Sequence, residues 1–131
     1  MNKLDTIIRL ERKEDQRAVE RLVREAFWDV YRPGCLEHYV LHRMRSHPNF
    51  IPELSFVLLR GGELIGQNVF VRALIQADDG RKIPVAAMGP ICIAPEYQRQ
   101  GFGTLLLDAS LERARAFDRF AVCFSACAKK L

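Results

Sequence analysis

The segment that most constrains this chain runs from Ile91 to Leu107. Its apolar start closes at Pro95, which has no backbone N–H to donate to a sheet and therefore ends the strand. Residues 98–103 then form a turn, in which two glycines let backbone N–H groups converge on one concavity. The helix that follows adds unpaired N–H groups and the positive end of its dipole. Such a concavity favours an anion, most often a phosphate.

Two other phosphate-binding turns do not fit these residues. A dinucleotide-binding fingerprint requires a third glycine where Leu106 stands, and it follows the first strand of a βαβ unit. A P-loop requires a lysine and a serine or threonine after its second glycine, but Gly103 is followed by Thr104 and Leu105. A nucleotide-binding module is therefore the weaker hypothesis, and it predicts binding of ATP or NAD.

The strand, the proline and the pattern Q-x-x-G-x-G at positions 98–103 resemble the acetyl-coenzyme A signature of the GCN5-related N-acetyltransferases, the GNAT family. The runs at 89–91 and 50–56 make the chain most similar to small bacterial acetyltransferases of the YhbS type. The resemblance implies an α/β (α+β) fold with a mixed, mostly antiparallel central sheet flanked by helices. The implied order is β1-α1-α2-β2-β3-β4-α3-β5, with the fold truncated after β5. Residues 1–131, of which 49% are hydrophobic and 27% charged, are expected to form a single domain.

The resemblance also implies a cofactor, acetyl-coenzyme A, and the residues that contact it. In the family, amides of the loop hold the pyrophosphate, and a bulge on the fourth strand admits the pantetheine arm between the fourth and fifth strands. We place that bulge at 89–90. The cofactor contacts then fall on Ile91, Cys92, Ile93, Gln98, Arg99, Gln100, Gly101, Phe102, Gly103 and Thr104.

The activity implied is direct attack of an unidentified primary amine, on a small molecule or a peptide, on the thioester carbonyl. A base must take the proton of the amine. Many relatives carry a glutamate for this on the fourth strand, but residues 85–88 offer no carboxylate. Glu53, in the loop before the second strand, is the candidate base, and a solvated loop carboxylate is its alternative interpretation. Gln67 and Asn68 are candidates for lining the cleft, since they are polar in an apolar run.

Hydrophobic periodicity predicts the individual elements. We expect strands at 6–10, 56–59, 64–75, 83–93 and 120–125, helices at about 14–30 and 36–46, and a third helix that follows the loop at 98–103. The second helix is predicted to bury Leu36, Tyr39, Val40 and Met44. The third is predicted to turn toward the sheet Gly103, Leu107, Ser110, Leu111, Ala114 and Phe117.

Metal binding and disulfide bonding are not indicated. His38 and His42 are four residues apart but lack a third ligand, so solvated or substrate-side histidines are expected. The four cysteines form no C-x-x-C pair and are expected to be free thiols. The net charge of +4 and the pI of about 9.1 come from scattered residues, so we expect no nucleic-acid partner.

The N-terminus bears on where the protein is located, and the C-terminus on whether the domain is complete. The N-terminus lacks the pattern of a signal peptide and no run is long enough to span a membrane, so a cytoplasmic protein is expected. The family continues past the fifth strand with a helix and a hairpin that residues 126–131 do not resemble. We therefore expect a C-terminally incomplete domain. The alternative to an active enzyme is a non-catalytic coenzyme A-binding remnant or a fragment completed by dimerisation, and an exposed fifth strand suggests a homodimer.

Overall fold

The computed structural model describes residues 5–118 and 121–124 of the chain. Eight main elements follow one another in the predicted order: β1 Thr6–Leu10, α1 Gln16–Phe27, α2 Glu37–Met44, β2 Phe56–Arg60, β3 Glu63–Gln76, β4 Lys82–Ile93, α3 Phe102–Asp118 and β5 Ala121–Phe124. Short 3₁₀ turns occupy Lys13–Asp15, Pro52–Leu54 and Pro95–Tyr97. The positions 120 and 125 of the predicted fifth strand lie outside the described residues.

The described strands form one sheet in the spatial order β1-β2-β3-β4-β5. The first three pairings are antiparallel, and only β5 joins its neighbour β4 in parallel. The turn between β2 and β3 consists of Gly61 and Gly62, both with positive φ (55° and 83°), a conformation that favours glycine. The mixed, mostly antiparallel sheet that the sequence predicts is therefore confirmed.

A bulge interrupts the pairing of β3 with β4. Asn68 lies opposite Ile91, whereas Phe70 lies opposite Met88, so a single residue of β3 faces both members of the pair 89–90. Gly89 has a φ of 130°, where a side chain would be strained. On its other edge, β4 pairs with β5 from Val85 as far as Met88. The bulge therefore begins where the pairing with β5 ends.

The helices cover the sheet on both faces. α1 packs against β3, β4 and α2, and α3 packs against β3, β4 and β5. α1 contributes a fully apolar stripe to the core: Val19, Leu22, Val23, Ala26 and Phe27. The helix ends at Phe27, not at residue 30 as predicted, because Trp28 is extended and Asp29 has a φ of 57°.

The orientation predicted for α2 is wrong. The side chains expected in the core are about half exposed at three positions: Leu36, Tyr39 and Val40. The residues that α2 buries are Glu37 and Leu41, with Met44 partly buried. Helix periodicity selected the more apolar face, but a short helix next to a loop follows its tertiary contacts instead.

Arg45 supplies the main polar contact that fixes α2. Its guanidinium, with only 9% of the side chain exposed, donates to both oxygens of Glu11 at 3.0 and 2.8 Å. It also pairs with Glu20 on α1. A buried guanidinium requires such partners, so this contact sets how α2 lies against α1.

The predicted orientation of α3 is only partly right. Gly103, Ser110 and Ala114 are buried as expected, but the fully buried leucine is Leu106 and not Leu107. Leu107 and Leu111 are only partly buried at the edge of the core. Phe117, which was expected to face the sheet, is 39% exposed.

The two neighbouring leucines provide a test of this orientation. We expect Leu106→Ala to lower the free energy of unfolding by about 2–5 kcal/mol, because it opens a cavity in a closed core. Leu107→Ala, at a half-covered position, should cost clearly less. Urea unfolding of both variants measures the difference, and a larger loss for the Leu107 variant would contradict the orientation.

The Asp15 carboxylate should make stability depend on pH. It accepts hydrogen bonds from Arg9 at 2.6 and 3.2 Å and from the Arg12 amide at 2.8 Å, and the Arg9 hydrogen bond is the main reason that its pKa lies below the usual value. A lowered folded-state pKa stabilises the protein above the unfolded-state value of about 3.9. That stability is lost as the pH falls through the folded-state pKa.

The matching experiment compares the parent with Asp15→Asn by urea unfolding. We expect the variant to be less stable by about 1 kcal/mol at neutral pH, and the difference to shrink as the pH falls below about 4. A constant difference from pH 7 to pH 3 would contradict this assignment.

Candidate functional site

The loop between β4 and α3 contains two left-handed residues at alternate positions. Gln98 is extended, Arg99 has a φ of 62° and Gly101 has a φ of 91°. Left-handed residues at alternate positions occur in anion-binding nests, in which successive N–H groups face one concavity. Arg99 is the unusual member, since non-glycine residues rarely take a positive φ.

The start of α3 adds more donors to this concavity. The first hydrogen bond of the helix runs from the Leu105 amide to the carbonyl of Gly101 at 3.2 Å. The amides of Phe102, Gly103 and Thr104 precede it and have no acceptor within the helix. They carry the positive end of the helix dipole toward the loop.

Aromatic side chains at both ends of the loop pack together and fix it against the core. The Phe102 ring is fully buried and meets Tyr97 edge to face, with ring centroids 6.0 Å apart. The Arg60 guanidinium lies over both rings, 5.7 Å from Tyr97 and 5.4 Å from Phe102. The Tyr97 hydroxyl donates to Glu63 at 3.0 Å, which raises the pKa of this tyrosine. Phe102 is therefore wholly buried, and its side chain is not available to a ligand.

The end of β4 presents backbone groups away from β3. The Ala94 amide donates to the Ile65 carbonyl at 2.7 Å, so alternation along an antiparallel ladder turns the backbone groups of Ile91 and Ile93 toward the opposite edge. On that edge the side chain of Gln98 donates to the Ile93 carbonyl at 3.0 Å. The Ile93 amide thus points to the edge of β4 opposite to β3, and residues 91–93 are wholly buried.

The two polar residues of β3 are fully buried. Gln67 donates to the Pro90 carbonyl at 2.8 Å and so holds the bulge, and its Nε2 lies 3.5 Å from the Cys92 sulfur. Its Oε1 and both polar atoms of Asn68 have no hydrogen-bond partner among residues 5–118 and 121–124. The sequence placed both residues at a cleft, and the structure places them inside the sheet beside the bulge.

The predicted base, Glu53, is exposed on the 3₁₀ turn before β2. In the sheet, β3 lies between β2 and β4. The turn that precedes β2 is therefore separated by β3 from the strand that carries the amide of Ile93. The role of Glu53 in proton transfer stays a prediction.

The turn at residues 29–34, between α1 and α2, lies close to the bulge and had no predicted role. Asp29 closes this turn twice: its side chain accepts from the Gly34 amide at 2.6 Å, and its own amide donates to the Gly34 carbonyl at 2.8 Å. Trp28 packs beside the turn, with the Arg24 guanidinium 4.8 Å from its ring centroid.

The turn and the bulge form walls of a half-open cavity of about 250 Å³. Its lining comprises Arg32, Leu36, Glu37, Val40 and Pro90. Glu37 had no predicted role, because nothing in the pattern indicates that a glutamate opens α2 from a buried position. The burial of this carboxylate beside an apolar turn is visible only in the fold.

The histidines themselves have ordinary surroundings. His42 is exposed and lies 3.2 Å from Glu20. His38 is half-buried, with Nδ1 at 3.4 Å from the Cys35 sulfur. Within the described part of the chain, no cluster of three or more histidine, cysteine or acidic side chains is arranged to hold a metal ion. Nor does any helix in that part have the length and apolar character needed to cross a bilayer.

The family model "Acetyltransferase (GNAT) family" matches residues 19–129. The chain belongs to the GNAT family. A comparison with curated protein sequences finds no match. A comparison with solved structures finds 271 matching chains. Members of the GNAT family are N-acetyltransferases.

Three solved GNAT structures illustrate the likeness. An acetyltransferase from Brucella melitensis, crystallised with acetyl-CoA, is 23% identical with a TM-score of 0.78, and the match covers 91% of this chain and 74% of that one. YhbS from Escherichia coli, crystallised with CoA, is 22% identical with a TM-score of 0.76 and coverages of 95% and 64%. An aminoglycoside acetyltransferase from an uncultured soil sample, crystallised with sisomicin, is 19% identical with a TM-score of 0.63 and coverages of 93% and 78%.

The geometry of the GNAT loop can be tested at Gly101. We expect Gly101→Ala to cost about 1–2 kcal/mol in unfolding free energy, because alanine is strained at a φ of 91°. Gly80 is a matched control, since its φ is 89° and no atom lies within 4 Å of an added Cβ. Amide exchange at Leu105 should accelerate in the Gly101 variant alone. Equal acceleration in both variants would mean that the loop does not depend on this glycine.

Proposed function

We propose that this chain is a cytoplasmic, acetyl-CoA-dependent N-acetyltransferase that acetylates a small-molecule or peptide primary amine. One observation carries the proposal: beyond Met88, β4 pairs with β3 alone among the described strands, and this stretch leads directly into the loop that opens α3. The edge opens after Met88, where β5 pairing ends, and the loop follows five residues after Ile93. A ligand with an extended arm and a phosphate group at one end matches this arrangement.

The residues fit such a ligand at both ends. The nest and first-turn amides, from Arg99 to Thr104, form a group of donors suited to a pyrophosphate. Between Gly89 and Ile93 the strand extends over about 13 Å, at roughly 3.3 Å per residue. The pantetheine arm of the ligand carries amides. Lying along this edge like an added strand, it could pair with the backbone groups of Ile91 and Ile93.

The loop makes its contacts through the backbone. The Phe102 side chain is committed to the core and that of Gln98 to the Ile93 carbonyl, so neither is free to define the ligand. Arg99 and Gln100 are exposed and contribute amides together with side chains of adjustable position. We therefore propose that the ten residues predicted from the sequence act mainly as a backbone cradle.

When bound, acetyl-CoA would supply an activated acetyl group on sulfur. The chain must then orient a neutral amine, accept one of its protons and stabilise negative charge on the carbonyl oxygen. The Ile93 amide is the donor that we propose for the oxygen, because alternation along β4 turns it toward the gap. A carbon–nitrogen bond forms, the carbon–sulfur bond breaks, and the thiolate that leaves takes up a proton.

The comparisons support the same reaction class. The Brucella and Escherichia coli structures were solved with acetyl-CoA and CoA, and the soil enzyme with sisomicin, an aminoglycoside. These complexes belong to proteins no more than 23% identical, so they support the cofactor more strongly than any acceptor.

Calorimetric titration with acetyl-CoA tests the proposal, with ATP and NAD as controls. We expect saturable binding of acetyl-CoA alone. Binding of ATP or NAD instead would favour a nucleotide-binding module. Binding without transfer to any amine would favour a non-catalytic coenzyme A-binding protein.

Thr104 offers a sharper test of the loop, because it is exposed in the first turn of α3. In Thr104→Asp a carboxylate should stabilise the helix by about 0.3–1 kcal/mol through the dipole. The same charge should repel a pyrophosphate and weaken acetyl-CoA binding by roughly tenfold, about 1.4 kcal/mol. Thr104→Asn is the neutral control of similar size. Unchanged affinity in the aspartate variant would remove the phosphate site from this loop.

A further inference from the structure

The cavity beside the bulge contains a carboxylate that is nearly buried and accepts hydrogen bonds at only one of its two oxygens. Glu37 is only 9% exposed, yet it lines a space of about 250 Å³. Its Oε2 accepts from the Leu36 amide at 3.2 Å and from the Cys35 thiol at 3.3 Å. No described residue forms a hydrogen bond or ion pair with its Oε1. A buried carboxylate with a free oxygen favours a cation.

The neighbours of Glu37 keep this oxygen available for a ligand. Burial raises the pKa of the Cys35 thiol, which therefore stays protonated and acts as a donor to the carboxylate. His38 Nδ1 lies 3.4 Å from the same sulfur. Arg32 also lines the cavity but is exposed and forms no ion pair with Glu37. Among the described residues, Cys35, His38 and Arg32 are the titratable or charged groups that belong to this contact network or line the cavity with Glu37.

The position of the cavity ties it to the chemistry proposed above. Pro90 lines the cavity and belongs to the bulge, and the Gln67 side chain donates a hydrogen bond to the carbonyl of this proline. The bulge is also where β4 parts from β5. The cavity therefore adjoins the start of the edge on which we place the acyl donor. Its remaining walls, Leu36 and Val40, are apolar.

We propose that this cavity binds the acceptor amine, that Glu37 Oε1 holds its ammonium group, and that the same carboxylate takes the proton as the carbon–nitrogen bond forms. The inference rests on the proposed function. The acceptor class follows from the lining: a small primary amine with an apolar carbon chain next to the amino group. Glu37 would thus have the role that the sequence analysis gave to Glu53.

The first experiment does not involve acetyl-CoA. Methyl resonances of Leu36 and Val40 are followed by NMR during titration with butylammonium, and with butanol as the uncharged probe of equal chain length. We expect saturable shifts with butylammonium only. Glu37→Gln should weaken its binding about tenfold, because the negative charge that faces the ammonium group is lost. Glu112→Gln, at an exposed glutamate of α3, is the matched control and should bind as the parent does.

Two outcomes would overturn the proposal: equal responses to butylammonium and butanol in the parent, or equal affinity in the parent and the Glu37 variant. The parent comparison decides the question even if Glu37→Gln fails to fold. Butylammonium binding by a chain that does not bind acetyl-CoA would leave the amine site assigned and the proposed function wrong.

The second experiment measures proton transfer, through the pH profile of thiol release with small primary amines. In Glu37→Gln the reaction must draw on free amine that is already neutral, and this fraction rises with pH below an amine pKa of about 10. The rate deficit of the variant should therefore shrink as the pH rises. A deficit that stays constant with pH would limit Glu37 to binding, and a larger deficit in Glu53→Gln would transfer the role of base to Glu53.

Discussion

The architecture depends on one extra residue in β4. From Val85 to Met88, β4 has a strand on each side, with β3 on one edge and β5 on the other. The pair 89–90 breaks that pattern, and from this point on β4 pairs with β3 alone among the described strands. Gln67 compensates the bulge from inside the sheet, at the cost of leaving its own Oε1 unpaired. The opening that the proposed reaction uses is thus a local defect in an otherwise regular sheet.

The sequence predicted the parts of the fold that local chemistry determines. Proline and glycine positions set the ends of β4 and the start of α3, because φ restrictions act on single residues. Strand order followed from short glycine turns and from the family resemblance. The sequence also placed the bulge correctly, since a glycine followed by a proline cannot continue a ladder.

Orientation was the part that the sequence could not determine. An apolar stripe around α2 or α3 spans several residues, and a rotation of one position keeps its average polarity. Tertiary contacts resolve the choice: Arg45 reaches Glu11 and Glu20 and turns Glu37 inward. Hydrophobic periodicity assigns polar residues to the surface, so it cannot predict a polar residue that is buried for function. Glu37, the residue that we propose for the acceptor cavity, was therefore not predicted from the sequence.

The position of Trp28 adds an optical property to this arrangement. It is the only tryptophan in the chain, and about half of its surface is exposed. Its ring lies under the Arg24 guanidinium and within 3.9 Å of the place where a Cβ on Gly34 would stand. Gly34 in turn belongs to the turn that forms one wall of the cavity. The intrinsic fluorescence of the protein therefore comes from a single site, beside the segment that any occupant of that cavity would touch, and needs no added label.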